Sequence, residues 1–201
     1  MTESERKQII ALIQREVIPA IGCTEPIAVA LCVAKATETL GAKPEKIKVL
    51  LSANILKNAM GVGIPGTGMI GLPIAVALGA LIGKSDYQLE VLKDSTPEAV
   101  EEGKKLIDEK RICISLKEDI TEKLYIEVTC EAGGEQATAI ISGGHTTFVY
   151  VAKGDEVLLN KQQTSGEEEE EETLELTLRK VYDFALTAPL DEIRFILETA
   201  R

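Results

Sequence analysis

Residues 124–141, LYIEVTCEAGGEQATAII, decide the fold class that the sequence predicts. Apolar and polar side chains alternate on both sides of Gly133-Gly134, which is typical of two half-buried strands joined by a tight turn. The same alternation appears before this stretch, over residues 112–116, and after it, over residues 148–150. The second half of the chain is therefore predicted to form an antiparallel sheet of hairpins.

Upstream of the sheet, apolar residues recur at helical spacing. A short strand is predicted at residues 47–51. Helices are predicted at residues 9–17 (ending before Pro19), from a cap at Thr24 to Gly41, at about 72–81 and 97–110, and near the C-terminus at 174–186 and 190–200. The expected fold is α+β, with N-terminal helices and a glycine-rich loop packed against a mainly antiparallel sheet.

The composition along the chain predicts three segments. Residues 1–160 form one α+β domain, 161–173 an acidic linker or loop, and 174–201 two short C-terminal helices. The linker holds six consecutive glutamates, Glu167 to Glu172, which repel one another and are typical of a solvated segment.

Composition and charge exclude several classes of protein. The 201 residues carry a formal net charge of −11, with 3% aromatic residues and no Trp, so no nucleic-acid partner is expected. No apolar stretch reaches the roughly 18–20 residues of a membrane span, and the N-terminus lacks the layout of a signal peptide. Four cysteines without a CxxC pair predict a reducing, cytoplasmic location.

Cys23 is the cysteine most suited to chemistry. It immediately precedes the predicted helix, whose positive N-terminal end is expected to favour the thiolate. Such a thiolate is a nucleophile or a metal ligand, and the alternative is an inert, half-buried cysteine. Cys32 and Cys130 fall among apolar residues and are expected in the core, whereas Cys113 is left unassigned.

Residues 61–68 cannot form a regular helix, because four glycines and a proline lie within eight residues. The stretch formally contains GxGxxG, but Pro65 removes an amide that would face a pyrophosphate, and no Lys follows Gly66 as in a phosphate loop. A ligand-facing loop and a purely structural loop are both open. His145, the one histidine, follows Gly143-Gly144 and is either a general base or substrate contact, or a polar turn residue.

Three motifs together resemble a known family. They are Gly22-Cys23-Thr24-Glu25-Pro26, the stretch KNAMGVGIPGTG at residues 57–68, and His145-Thr146. The chain resembles the N-terminal half of the L-cysteine desulfidase family (UPF0597-like), which is related to the alpha chain of iron–sulfur L-serine dehydratases. The resemblance implies an oxygen-sensitive [4Fe–4S] cluster held by three cysteines, whose open iron acts as a Lewis acid.

The implied reaction eliminates sulfide from cysteine, or water from serine, and gives pyruvate and ammonia. By its motif, Cys23 corresponds to the N-terminal cluster ligand. The base is either Lys57 or His145. The expected substrate-binding residues are Thr24, Glu25, Asn58, Gly61, Gly63, Gly66, Thr67 and Gly68, because a substrate carboxylate needs backbone amides or positive groups.

The resemblance also implies what the chain lacks. The other two cluster cysteines lie in a C-terminal half that is not present, and one cysteine cannot hold a cluster alone. We therefore expect an incomplete active site, no cluster on this chain alone, and a missing half or partner chain that supplies the remaining cysteines. A homo-oligomer is left open. The alternative function is a non-catalytic small-molecule-binding or regulatory module that retains the fold.

Overall fold

The computed structural model describes residues 1–161 and 176–199 and shows the predicted α+β class. The helices are α1 (Glu3–Glu16), α2 (Thr24–Leu40), α3 (Ala53–Ala59), α4 (Leu72–Ile82), α5 (Pro97–Asp108), α6 (Leu178–Thr187) and α7 (Phe195–Thr199), with a 3-10 helix at Ser85–Glu90. The strands are β1 (Lys46–Leu51), β2 (Gly63–Ile64), β3 (Met69–Ile70), β4 (Ile112–Leu116), β5 (Tyr125–Ala132), β6 (Glu135–Ser142), β7 (Phe148–Lys153) and β8 (Glu156–Asn160). None of the helices in these two ranges has the length and apolarity of a membrane-spanning segment.

Six strands form one sheet in the order β4-β1-β5-β6-β7-β8. Strands β5 to β8 are antiparallel neighbours joined by turns at the glycines that the sequence marks, which confirms the predicted hairpins. Strand β1 lies between β4 and β5 and runs parallel to β4, with Ile47 opposite Ile112. The first strand of the chain thus joins the N-terminal helices to the sheet. Strands β2 and β3 form a separate hairpin.

Helix α2 is the centre of the core. Every residue from Ile27 to Ala34 is buried, so the helix is apolar on all sides, as expected for an element covered all round. It packs against β5 and β6, whose inward-facing side chains include Ile126, Val128 and Cys130, and it also packs against α4. These contacts fix the position of its N-terminal end.

Helices α2 and α4 approach each other with their backbones nearly in contact. At Gly79 of α4, an added Cβ would lie 2.6 Å from the carbonyl oxygen of Ala30 in α2 and 3.1 Å from its Cα. Only a residue without a side chain permits this approach. The glycine therefore sets the distance between the two helices.

Contacts divide the chain into two compact units, Ala20–Thr164 and a second unit that combines Met1–Pro19 with Ser165–Arg201. We call them the central unit and the terminal unit. In the terminal unit, ion pairs join α1 to the C-terminal segment. Arg6 Nε lies 2.9 Å from Glu192 Oε2, and Lys180 Nζ lies 3.2 Å from Glu5 Oε1.

Some predicted elements differ from the structure or fall outside it. Helix α3 is absent from the predicted set, and the predicted helix at 190–200 forms only over Phe195–Thr199 because turns follow Pro189. The acidic segment lies outside the described residues except for Lys161, as does the start of the helix predicted at 174–186. The boundaries at 160 and 173 stay a prediction.

Candidate functional site

Cys23 is the N-cap residue of α2, and Thr24 is the first residue of the helix. The predicted cap at Thr24 is therefore wrong by one residue. The backbone of Cys23 is extended, and Pro26 falls in the first helical turn, where a missing N–H costs no hydrogen bond. The half-buried thiol donates to Glu25 Oε2 at 3.0 Å, and Thr24 Oγ1 donates to the same oxygen at 3.3 Å. The Glu25 carboxylate thus binds both Cys23 and Thr24 at the start of α2.

The Glu25 carboxylate controls the electrostatics of this turn. Its hydrogen bond with the thiol raises the pKa of Cys23, burial raises it further, and nearby backbone N–H groups only partly offset this. The prediction that the helix N-terminus favours the Cys23 thiolate is therefore wrong here, because a neighbouring negative charge outweighs the backbone. The hydrogen bond from Cys23 lowers the pKa of Glu25, and hydrogen bonds from its own backbone N–H and from Thr24 lower it as well.

The glycine-rich motif forms the small hairpin of β2 and β3, in which Ile64 is opposite Met69. Thr67 holds the turn together, since its Oγ1 donates to the carbonyl oxygen of Ile64 at 2.7 Å and accepts from the backbone N of Met69 at 3.0 Å. The Thr67 hydroxyl thus makes its hydrogen bonds within the turn. Its predicted contact with substrate stays a prediction.

Positive φ angles occur at two of the four glycines in this motif. Gly66 and Gly68 have φ of +77° and +65°, in the left-handed region that favours glycine. Gly61 and Gly63 do not, and a Cβ on either would meet open space. Gly66 and Gly68 thus adopt a conformation that favours glycine, while Gly61 and Gly63 are glycine for no steric reason that the structure shows.

Two observations bring the three motifs together in the central unit. Gly22 has a φ of +87°, and a Cβ there would lie 2.9 Å from Cγ of Pro65, so the residue before Cys23 packs directly on the glycine hairpin. His145 lies within electrostatic range of the Glu25 carboxylate. The N-terminus of α2 and the hairpin therefore meet at one place, and the loop before β7 lies within electrostatic range of them.

Lys57 and Asn58 lie on the exposed side of α3, near its C-terminal end. The same helix turns Ile55 and Ala59 into the core. Within the described ranges, neither Lys57 nor Asn58 has a hydrogen bond or ion pair with a motif residue. The choice between Lys57 and His145 as the base stays a prediction.

The other three cysteines lie in environments that differ from that of Cys23. Cys32 and Cys130 are buried, as predicted, and burial raises the pKa of Cys130 to about 11. Cys113 is exposed on β4, at the edge of the sheet. Among the described residues there is no group of three or more His, Cys, Asp or Glu side chains placed to hold a metal ion.

Sequence reasoning missed two features. The contact of Gly22 with Pro65 joins distant parts of the chain and leaves no local signal. The other feature is a half-buried cluster on the opposite face of the sheet, where Tyr125 and Lys117 both donate to Glu127 Oε2, at 2.7 and 2.8 Å. Alternation in β5 places Tyr125 and Glu127 on one face and would have revealed half of this cluster.

The chain is similar to several proteins that are each named UPF0597 protein. It is 81% identical to one from Bacteroides thetaiotaomicron over 201 residues, which is all of this chain and 47% of that protein. It is 76% identical to one from Phocaeicola vulgatus over the same shares. A protein from Parabacteroides distasonis is 63% identical over 198 residues, 97% of this chain and 46% of that protein.

The chain therefore spans about half the length of the curated relatives that it matches. These similarities confirm the UPF0597-like part of the predicted resemblance. The link to cysteine desulfidases and serine dehydratases stays a prediction. No model of a protein family matches the chain, and no solved structure does.

Proposed function

We propose that the chain is the Cys23-bearing part of an iron–sulfur-dependent amino acid lyase of the L-cysteine desulfidase or L-serine dehydratase type. The reaction would give pyruvate and ammonia, with sulfide or water as the group eliminated. The observation that most supports this is the packing of the Cys23 turn on the glycine hairpin at the N-terminus of α2, with His145 within electrostatic range of Glu25.

His145 is the better candidate for the base that removes the α-proton. An imidazole can accept a proton near neutral pH, and His145 lies within electrostatic range of the Cys23 turn. Lys57 has no comparable partner. The substrate carboxylate would be held by backbone N–H groups, for which the α2 N-terminus and the left-handed turn at Gly66 and Gly68 are suited.

The described residues fit one ligand of a cluster and no more. Cys23 is half-buried in the motif turn, whereas the thiols of Cys32 and Cys130 are enclosed in the core. A [4Fe–4S] cluster, when bound, supplies a Lewis acid for the departing group. The other thiolates would have to come from a missing half or a partner chain.

The test uses a full-length hybrid, in which this chain replaces the matching half of the Bacteroides thetaiotaomicron relative. The two sequences are 81% identical there, so the replacement is conservative. After anaerobic reconstitution with iron and sulfide, we expect pyruvate from L-cysteine or L-serine. Cys23→Ala should abolish both cluster absorbance and turnover, while Cys113→Ala, at an exposed cysteine, should change neither. His145→Asn should keep the cluster and lose turnover.

Two outcomes would contradict the proposal. A reconstituted hybrid that binds the amino acid but releases no pyruvate would favour the non-catalytic binding module. A Cys23→Ala hybrid with an intact cluster would remove Cys23 from the metal site. The 201-residue chain alone is expected to form no stoichiometric cluster, because it supplies too few accessible thiols.

A further inference from the structure

Helix α6 presents an apolar stripe to solvent. The stripe consists of Leu178, Val181, Tyr182, Ala185 and Leu186, at positions i, i+3, i+4, i+7 and i+8. This spacing places all five on one side of a helix, as on a surface that packs against another element. Yet Leu178 is 91% exposed, Tyr182 59% and Leu186 67%.

The other side of α6 carries its ion pairs and its buried side chain. Phe184 is buried, Lys180 pairs with Glu5, and Arg179 pairs with Asp183 along the helix. The terminal unit also holds ten of the fifteen large apolar side chains that are exposed in the described residues. The terminal unit thus leaves more of its large apolar side chains exposed than the central unit does, and five residues of α6 share one side of the helix.

We infer that the α6 stripe is the docking surface for the part of the polypeptide that the UPF0597 relatives contain outside the matched half. More than half of each of these relatives lies outside the match. The proposed function calls for a missing half or a partner chain, and the inference assigns that partner a binding surface on this chain. It rests on the length of the relatives and on exposed apolar area, and needs no lyase chemistry.

The size of the stripe favours an occupant in the same polypeptide over a second copy of the chain. A ten-residue helix is about 15 Å long, and a strip about 10 Å wide along it covers about 150 Å². A stable interface between separate proteins buries about 800 Å² on each partner. A tethered segment binds at high effective concentration and needs far less area.

Charge disfavours a membrane surface as the occupant. The chain has a net charge of −11, and Glu167 to Glu172 precede α6 closely in sequence. Helices that lie on anionic lipid are usually rich in Lys and Arg on the polar face, whereas α6 has two such residues, Arg179 and Lys180, and both are paired with acids.

Amide hydrogen exchange tests the inference without iron or activity. We expect the amides of residues 178–187 to exchange at least about tenfold more slowly in the full-length hybrid than in the 201-residue chain, because docking covers the helix. Val181→Asp in the hybrid should restore fast exchange. Val157→Asp is the matched control, since Val157 is 49% exposed and Val181 50%, and it should leave exchange slow.

Equal exchange of α6 in the hybrid and in the chain alone would overturn the inference, as would a slow-exchanging Val181→Asp hybrid. Exchange that slows with concentration in the chain alone would instead assign the stripe to a second copy. Since no cluster is needed, a hybrid that protects α6 but makes no pyruvate rejects the lyase and keeps the docking surface.

Discussion

Replacing Gly79 with alanine tests the contact that positions α2 against α4. The new Cβ would lie 2.6 Å from the carbonyl oxygen of Ala30 and 3.1 Å from its Cα, both of which belong to the backbone of a buried helix. Neither atom can move away by a change of rotamer, as the end of a side chain can. The two helices must therefore separate by several tenths of an ångström, and the side chains packed between them lose contact.

The expected loss of stability follows from two opposing effects. Overpacking a core usually costs about 1–3 kcal/mol, and a contact between two backbones belongs at or above the upper end of that range. Against this cost, alanine adds about 1 kcal/mol of stability, because its helix propensity is higher than that of glycine. We expect Gly79→Ala to lower the free energy of unfolding by about 2 kcal/mol, which for a chain of this size lowers Tm by about 4–8 °C.

The matched control is Gly103→Ala, another glycine within a helix. A Cβ there would lie 3.0 Å from Cδ1 of Ile74, the end of a flexible side chain, and 3.3 Å from Cβ of Ala77. Since Ile74 can adjust its rotamer, the packing cost should be small, and the gain of about 1 kcal/mol in helix propensity should offset it, so this variant should be at least as stable as wild type. Urea unfolding followed by circular dichroism measures both variants. Equal stability of Gly79→Ala and Gly103→Ala would refute the backbone contact.

Two further predictions concern charge. In Glu25→Gln, the pKa of Cys23 should fall because the neighbouring carboxylate is gone, so iodoacetamide should label Cys23 several-fold faster at neutral pH; an unchanged rate by mass spectrometry would contradict this. For Glu127, burial opposes ionisation, but hydrogen bonds from Lys117 and Tyr125 outweigh burial and lower the pKa. The ionised Glu127 therefore stabilises the fold fully at pH values above the pKa of the unfolded chain. This stabilisation is lost as the pH falls through the pKa of the folded chain. Between about pH 5 and pH 3, Glu127→Gln should therefore lose less stability than wild type or Glu131→Gln; equal losses would contradict the prediction.

Local patterns were enough to predict most elements of the fold. Alternation fixes the faces of β5 and β6, and glycine marks the end of α2, where Gly41 adopts a φ of +75°. Helix α3 was not predicted from the sequence, because its seven residues are too few for a helical period to be recognised. Its signal was Ser52, whose Oγ accepts a hydrogen bond at the helix start. The parallel pairing of β1 with β4 joins distant segments and has no local signature.

The candidate site was predictable in its parts and not in its electrostatics. The motif residues placed Cys23 at a helix start and identified residues 61–68 as irregular backbone. The effect of Glu25 on the thiol depends on a hydrogen bond across 3.0 Å, which a sequence does not specify. The helix dipole alone predicts the wrong direction for the pKa of Cys23, because it leaves out the hydrogen bond with the Glu25 carboxylate.

The core of the central unit holds the parts of the candidate site in place. Helix α2 carries Cys23 at its N-terminus and is buried along its length, so that end has little freedom to move. Helix α4 follows the glycine hairpin through Gly71, which has a φ of +91° and whose Cβ would lie 2.7 Å from the carbonyl oxygen of Met60. The Cys23 turn and the hairpin are thus ends of two helices locked together at Ala30 and Gly79. A group bound between them would meet residues positioned in advance by the core, which is the condition for precise chemistry.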